Sequence, residues 1–119
     1  MGIDFFNLLD DEGWVPLRFD PAISRSTKID PSFNLIGLRC PPNATIPTHH
    51  HNLRQLVIVF GGELLVEFAT DEPDSRRVGA GEFFISDAGT PFAVTAGAAG
   101  ATFTACWPEP VANLRTFWQ

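Results

Sequence analysis

His49-His50-His51-Asn52-Leu53-Arg54-Gln55-Leu56-Val57-Ile58-Val59-Phe60-Gly61-Gly62 sets the chain's only three histidines before a strand-like apolar run that ends on paired glycines. In an extended segment side chains alternate faces, so His49 and His51 share one face and His50 takes the other. The like-facing pair lie about 7 Å apart along the backbone and can converge through their rotamers, which makes half of a transition-metal site. Gly61-Gly62 can adopt the positive φ angles of a primed turn, predicting a two-residue hairpin that joins Gln55–Phe60 to Glu63–Ala69. In the second of these strands Leu64, Val66 and Phe68 alternate with Glu63, Leu65 and Glu67, which assigns the first set to an interior.

The same pattern extends outward. Ten Gly and ten Pro punctuate short runs rich in Val, Ile, Phe and Leu, the pattern of antiparallel β structure. Further strands are expected at Trp14–Phe19, Phe33–Cys40, Ile46–His51, Glu82–Ser86, Phe92–Thr95 and Ala101–Trp107. Ile3 to Asp10 reads as a short N-terminal helix, and the small-residue run Ala96 to Ala101 as a hairpin tip. Strands of this number and length, without crossover helices, cover their edges by closing up. The expected fold is therefore all-β, a small antiparallel jelly-roll barrel. A chain of 119 residues suits one domain with one hydrophobic core.

Eight Lys plus Arg against fourteen Asp plus Glu give a net charge of −6 without a basic cluster, so a phosphate backbone is repelled and nucleic acid is excluded as a partner. No apolar run approaches a membrane span, and the start lacks a basic leader, which predicts a soluble, cytoplasmic protein without membrane attachment. Cys40 and Cys106 form no CxxC pair and are expected to be reduced, largely buried thiols. With eleven Phe, three Trp and no Tyr, the interior offers rings but no phenolic proton donor.

In these residues the chain resembles the cupins, small β-barrels with two motifs. The first, G-x5-H-x-H-x3-E-x6-G, aligns as Asn43-x5-His49-x-His51-x3-Gln55-x6-Gly62. The second, G-x5-P-x-G-x2-H-x3-N, aligns as Gly81-x5-Asp87-x-Gly89-x2-Phe92-x3-Ala96. Every spacing is kept, and His49, His51, Gly62, Gly81 and Gly89 match outright. The resemblance covers roughly residues 33 to 107, with the ends of the chain as extensions on a single cupin domain. Asn43 in place of glycine is a mild change, since Asn tolerates the left-handed conformation.

The resemblance implies a divalent transition metal, Zn, Fe, Ni, Mn or Cu, held by His49, His51 and Gln55. Gln55 stands where the family has glutamate, and as an amide it suits a hydrogen bond to a pocket water or a ligand as well as it suits a metal; Phe92 stands where the family has the last histidine ligand. A neutral donor set leaves the metal's charge uncompensated and favours an anionic chelate. The facial two-histidine, one-carboxylate triad is absent at the aligned positions. Phe92, Val57 and Val66 are the expected walls of a substrate pocket. His50 is expected to face outward, Arg54 to be solvated, and Asp87 to cap a turn or to act as a base at the barrel mouth.

Two functions follow. One is a metal-dependent enzyme, dioxygenase- or isomerase-like, acting on a small oxygenated or aromatic molecule inside the barrel. The other is a non-catalytic cupin that binds or senses a small ligand. A purely structural barrel gives no reason for two inward imidazoles. The resemblance also implies a homodimer, with Phe5-Phe6 and Leu114 to Trp118 as candidate contacts, although core packing of a terminal strand explains these apolar ends equally well.

Overall fold

The structure, a computed structural model, describes residues 2–68 and 74–119. Nine strands run in chain order: β1 (Trp14–Pro16), β2 (Ser24–Ser26), β3 (Leu35–Cys40), β4 (Thr45–His51), β5 (Gln55–Phe68), β6 (Asp74–Gly79), β7 (Phe83–Ser86), β8 (Phe92–Cys106) and β9 (Thr116–Trp118). They form one antiparallel sheet in the order β1-β2-β3-β8-β4-β9, and β5 joins it through β8 while also pairing with β6 and β7. The sheet curls on itself as the expected all-β jelly roll. No helix among the described residues is long and apolar enough to cross a membrane.

Two expectations about local structure are corrected. Gly61-Gly62 is not a hairpin. It lies inside the 14-residue β5, which shifts register against β8 between Val59 and Gly61 and again between Gly62 and Leu64. Before this point β5 pairs with β7, and after it with β6, so the glycines let one strand turn a corner of the barrel. Gly62 has φ 65°, and a Cβ there would overlap the carbonyl oxygen of Gly100. Ala96 to Ala101 is likewise not a tip but the middle of the 15-residue β8. Its small residues allow close crossing: a Cβ on Gly97 would meet the side chain of Glu63, and one on Gly100 the Cys40 carbonyl.

The N-terminal segment also differs from expectation. Residues 2–7 take neither helix nor strand, and helical structure among the described residues is confined to the short 3-10 turns Pro31–Phe33 and Val111–Asn113. With Phe5 87% and Phe6 65% exposed, no apolar face is buried that could support a helix of eight residues. β2, β6 and β9 were not evident from periodicity, because Ser24–Ser26 and Asp74–Gly79 are polar edge pieces and Thr116–Trp118 spans only three residues. The predicted strand end at Ala69 lies outside the described residues. Asn43 does take the left-handed conformation, at φ 63°.

Ile23, Val57, Val59, Leu64, Val66, Val94, Phe103 and Trp107 are among the buried residues of the core. On β5 the buried positions are Gln55, Val57 and Val59, then Leu64 and Val66. The inward phase thus changes from odd to even numbers across the glycine pair. Each extra residue at a bulge moves the following side chains to the opposite face. Without that change Leu64 and Val66 would point to water.

Candidate functional site

β4 carries the three histidines along the barrel wall, and β9 pairs beside it with His49 opposite Trp118, His50 opposite Phe117 and His51 opposite Thr116. The alternation expected from the sequence holds. His49 and His51 line an interior cavity of about 220 Å³, whereas His50 stacks on Phe117 with ring centroids 4.9 Å apart. Buried Nδ1 of His50 has no hydrogen-bond partner. The rings of His49 and His51 are 4.8 Å apart, edge to face.

Each inward imidazole is anchored through Nδ1. That atom of His49 donates to the Pro47 carbonyl at 2.7 Å, and that of His51 lies 3.0 Å from the Thr116 hydroxyl. A carbonyl can only accept, so Nδ1 of His49 bears the hydrogen and Nε2 keeps a lone pair. Burial holds the pKa of His49 below the usual value. Burial, together with repulsion from His49 and His50, brings His51 to about 4. Both rings are therefore neutral at pH 7, the state in which imidazole binds metal.

Phe92, on β8, packs on both rings, at 4.6 Å from His49 and 6.0 Å from His51. It occupies the space where a further imidazole would reach the pair. Gln55 begins β5 and is buried, with Oε1 accepting the indole N–H of Trp107 at 3.0 Å. Val57 lines the same cavity. Val66 does not; with Phe68 and Arg76 it lines a second depression of about 420 Å³, which shares Phe84 and Phe92 with the first. The structure thus brings His49, His51, Gln55, Val57 and Phe92 together and leaves Val66 outside the group.

The remaining cavity wall is apolar and rich in rings. Phe84, Phe103, Trp107 and Trp118 line it, and Phe19 packs against Trp118 with centroids 5.1 Å apart. No carboxylate or thiol lines this cavity among the described residues. Asp87 instead pairs with Arg54, Nε to Oδ1 at 3.0 Å, where both side chains are exposed. Its backbone carbonyl accepts from Thr90 N–H in a turn, while its carboxylate engages Arg54. Cys40 is buried and Cys106 half-buried, both are free, and burial pushes the Cys40 thiol up to about 12.

Sequence reasoning missed Trp107, Thr116 and Trp118 as members of the site. The alternation Leu114-x-Thr116-x-Trp118 was the available signal. All three line the cavity, although Trp118, at 48%, is as exposed as its neighbour Phe117, at 49%. Within this segment Leu114 and Thr116 are half-buried, while Arg115, Phe117 and Trp118 are exposed.

The donors present suit a divalent ion in part. Two neutral imidazoles with anchored Nδ1 atoms are what such an ion needs, since the anchor sets the ring orientation. No group of three or more His, Cys, Asp or Glu is gathered anywhere among the described residues, so other ligands would come from water or a bound molecule.

No family model matches the chain, and no curated protein matches it. Among solved structures it is similar to a single-residue variant of oxalate decarboxylase from Bacillus subtilis, at 22% identity and TM-score 0.67, over 82% of this chain and 28% of that one. A second such variant gives 23% identity and TM-score 0.67, again over 82% and 28%. Vicilin from hazelnut, Corylus avellana, matches at 16% identity and TM-score 0.64, over 82% and 26%. This chain spans about a quarter of the length of those proteins. The Bacillus subtilis oxalate decarboxylase has Mn(II) centres. These likenesses establish the fold alone: the chain forms a barrel of the cupin type.

Proposed function

We propose that this cupin is a metal-dependent enzyme for a compact, largely apolar or aromatic molecule carrying an oxygenated group, with the metal held by His49 and His51. The observation that carries this reading is the double anchoring of the imidazoles, Nδ1 of His49 on the Pro47 carbonyl and Nδ1 of His51 beside the Thr116 hydroxyl. A merely structural pair gains nothing from two neutral rings turned into an apolar cavity, where an unpaired polar nitrogen is costly.

When bound, a divalent transition metal supplies Lewis-acid or redox chemistry that the cavity's side chains lack. The chain itself contributes binding and exclusion of water. Phe92, Val57 and Phe103 confine a small ring against the histidines, and Trp118 with Phe19 covers it. Neutral His49 and His51 add no positive charge of their own, so an ion there is offset only by the molecule that meets it. That favours an anionic or enolisable oxygen. We also propose a homodimer, favoured by the exposed apolar side chains of Phe5, Phe6, Phe83 and Ile85.

A second reading, a cupin that binds its ligand without metal or turnover, is favoured by the Gln55–Trp107 hydrogen bond, which engages the oxygen of the third family donor. Elemental mass spectrometry of untagged protein separates the two. Near-stoichiometric metal that disappears in His49→Ala/His51→Ala is the expected result. Absence of metal after reconstitution with Fe, Mn, Ni and Zn would overturn the metalloenzyme reading.

A further inference from the structure

The two ends of the Gln55 amide are not equivalent, and Trp107 determines which one is available. An indole N–H can only donate. The Gln55 atom 3.0 Å from Trp107 Nε1 is therefore the carbonyl oxygen, and the opposite orientation would set donor against donor. Both residues are buried, at 5% and 6% exposure, so water cannot replace this bond at low cost. The amide is planar. With Oε1 on the indole, the group that Gln55 can offer to an occupant of the cavity is its Nε2 pair of donors.

Both residues line the cavity that holds His49 and His51. Besides these two, the polar side chains of that wall are the two imidazoles, the indole of Trp118 and Thr116, whose hydroxyl is beside His51. A donor in such a setting discriminates strongly, because a ligand without an acceptor leaves it unpaired in an apolar enclosure. An engineered apolar cavity of about 150 Å³ admits benzene. This one, of about 220 Å³, has room for a ring with a short substituent.

We propose that Gln55 is a hydrogen-bond donor that selects ligands bearing a carbonyl or carboxylate oxygen on a compact ring, with Trp107 as its positioning residue. The proposal rests on the reading of this cavity as the ligand site. It parts from that reading on one point: the residue at the family's carboxylate position faces the ligand with N–H groups and does not donate a lone pair to a metal.

The test uses acetophenone and ethylbenzene, matched in shape and differing at the carbonyl. Binding is measured by calorimetry or ligand-observed NMR with the full-length protein, its Gln55→Leu and Gln55→Glu variants, and Gln55→Leu/Trp107→Phe. The double variant removes both hydrogen-bonding partners, so neither is left buried alone if Gln55→Leu proves unstable. Wild type should prefer acetophenone by about five- to tenfold. The preference should vanish in both Leu variants, and in Gln55→Glu at a pH where its carboxylate is ionised, because that group accepts from Trp107 but has no hydrogen to give.

Zn²⁺ binding, measured separately, should be unchanged in Gln55→Leu. An equal acetophenone preference in wild type and Gln55→Leu, no binding of either probe by wild type, or loss of Zn²⁺ in folded Gln55→Leu would overturn the proposal. A wild type that holds no metal yet prefers acetophenone supports the donor role of Gln55 and removes the metalloenzyme reading alone.

Discussion

Nδ1 of His51 lies 3.0 Å from Oγ1 of Thr116, a partner 65 residues further along the chain. The short strand β9 thereby orients one of the two cavity imidazoles. It is itself held on β4 by the Asn52 and Gln119 N–H groups, which donate to the Arg115 and Thr48 carbonyls.

Replacing Thr116 with Val keeps the volume and removes the hydroxyl. Loss of a partner that orients a ligating imidazole typically weakens metal binding by about 10- to 100-fold. Thr116→Val is expected to lower Zn²⁺ affinity by at least about tenfold on that scale. Melting temperature should move little. Chelator competition alongside a thermal melt checks both, and an unchanged affinity would show that β9 does not position His51.

Metal-free protein should lose stability as the pH falls from about 6.5 towards 4. His51 has a folded pKa of about 4 against a reference value of 6.5, so in that window the unfolded chain binds a proton that the folded chain refuses. The contribution is fully present above 6.5. It amounts to at most about 3 kcal/mol at 1.36 kcal/mol per pH unit, less whatever solvent screening removes. Urea unfolding at several pH values should give a slope that is shallower in His51→Gln. Asp10 and Asp30, held below 3.8 by hydrogen bonds from Lys28 and Ser32 respectively, stabilise the fold above that value and act only under more acid conditions.

Phe92→His should strengthen the metal site. The Phe92 ring packs 4.6 Å from His49 and 6.0 Å from His51, so an imidazole there approaches the same point. A third neutral nitrogen completes a three-histidine set. Titration with Zn²⁺ should show affinity rising by more than about tenfold, equivalent to 1.4 kcal/mol. No gain would mean that the His49 and His51 lone pairs do not converge on that point.

Gly62→Ala should destabilise severely, whereas Gly81→Ala should not. Both glycines have positive φ, at 65° and 86°, and each substitution incurs roughly 1 kcal/mol of backbone strain. At Gly81 the added methyl meets open space, while at Gly62 it overlaps the Gly100 carbonyl. The excess for Gly62 is expected to exceed about 2 kcal/mol, in the range of overpacked cores. Chemical denaturation of the two variants side by side provides the comparison.

Strand alternation, the spacing of His49, His51 and Gln55, and the density of short apolar runs are local properties of the chain. They suffice for an all-β barrel with two imidazoles on one inward face, because side-chain direction in an extended segment follows from backbone geometry alone. The corner at Gly61-Gly62 is not local. Paired glycines permit a hairpin and a bulge equally, and pairing of β5 with β8 along nearly its whole length decides between them. The same holds for the site's partners. Thr116 reaches His51, and Trp107 takes the oxygen of Gln55, through contacts between residues 65 and 52 positions apart. No spacing rule encodes such contacts. They exist because closure of the barrel brings the end of β8 beside β5 and lays β9 beside β4, and they determine which nitrogen and which end of an amide face the cavity.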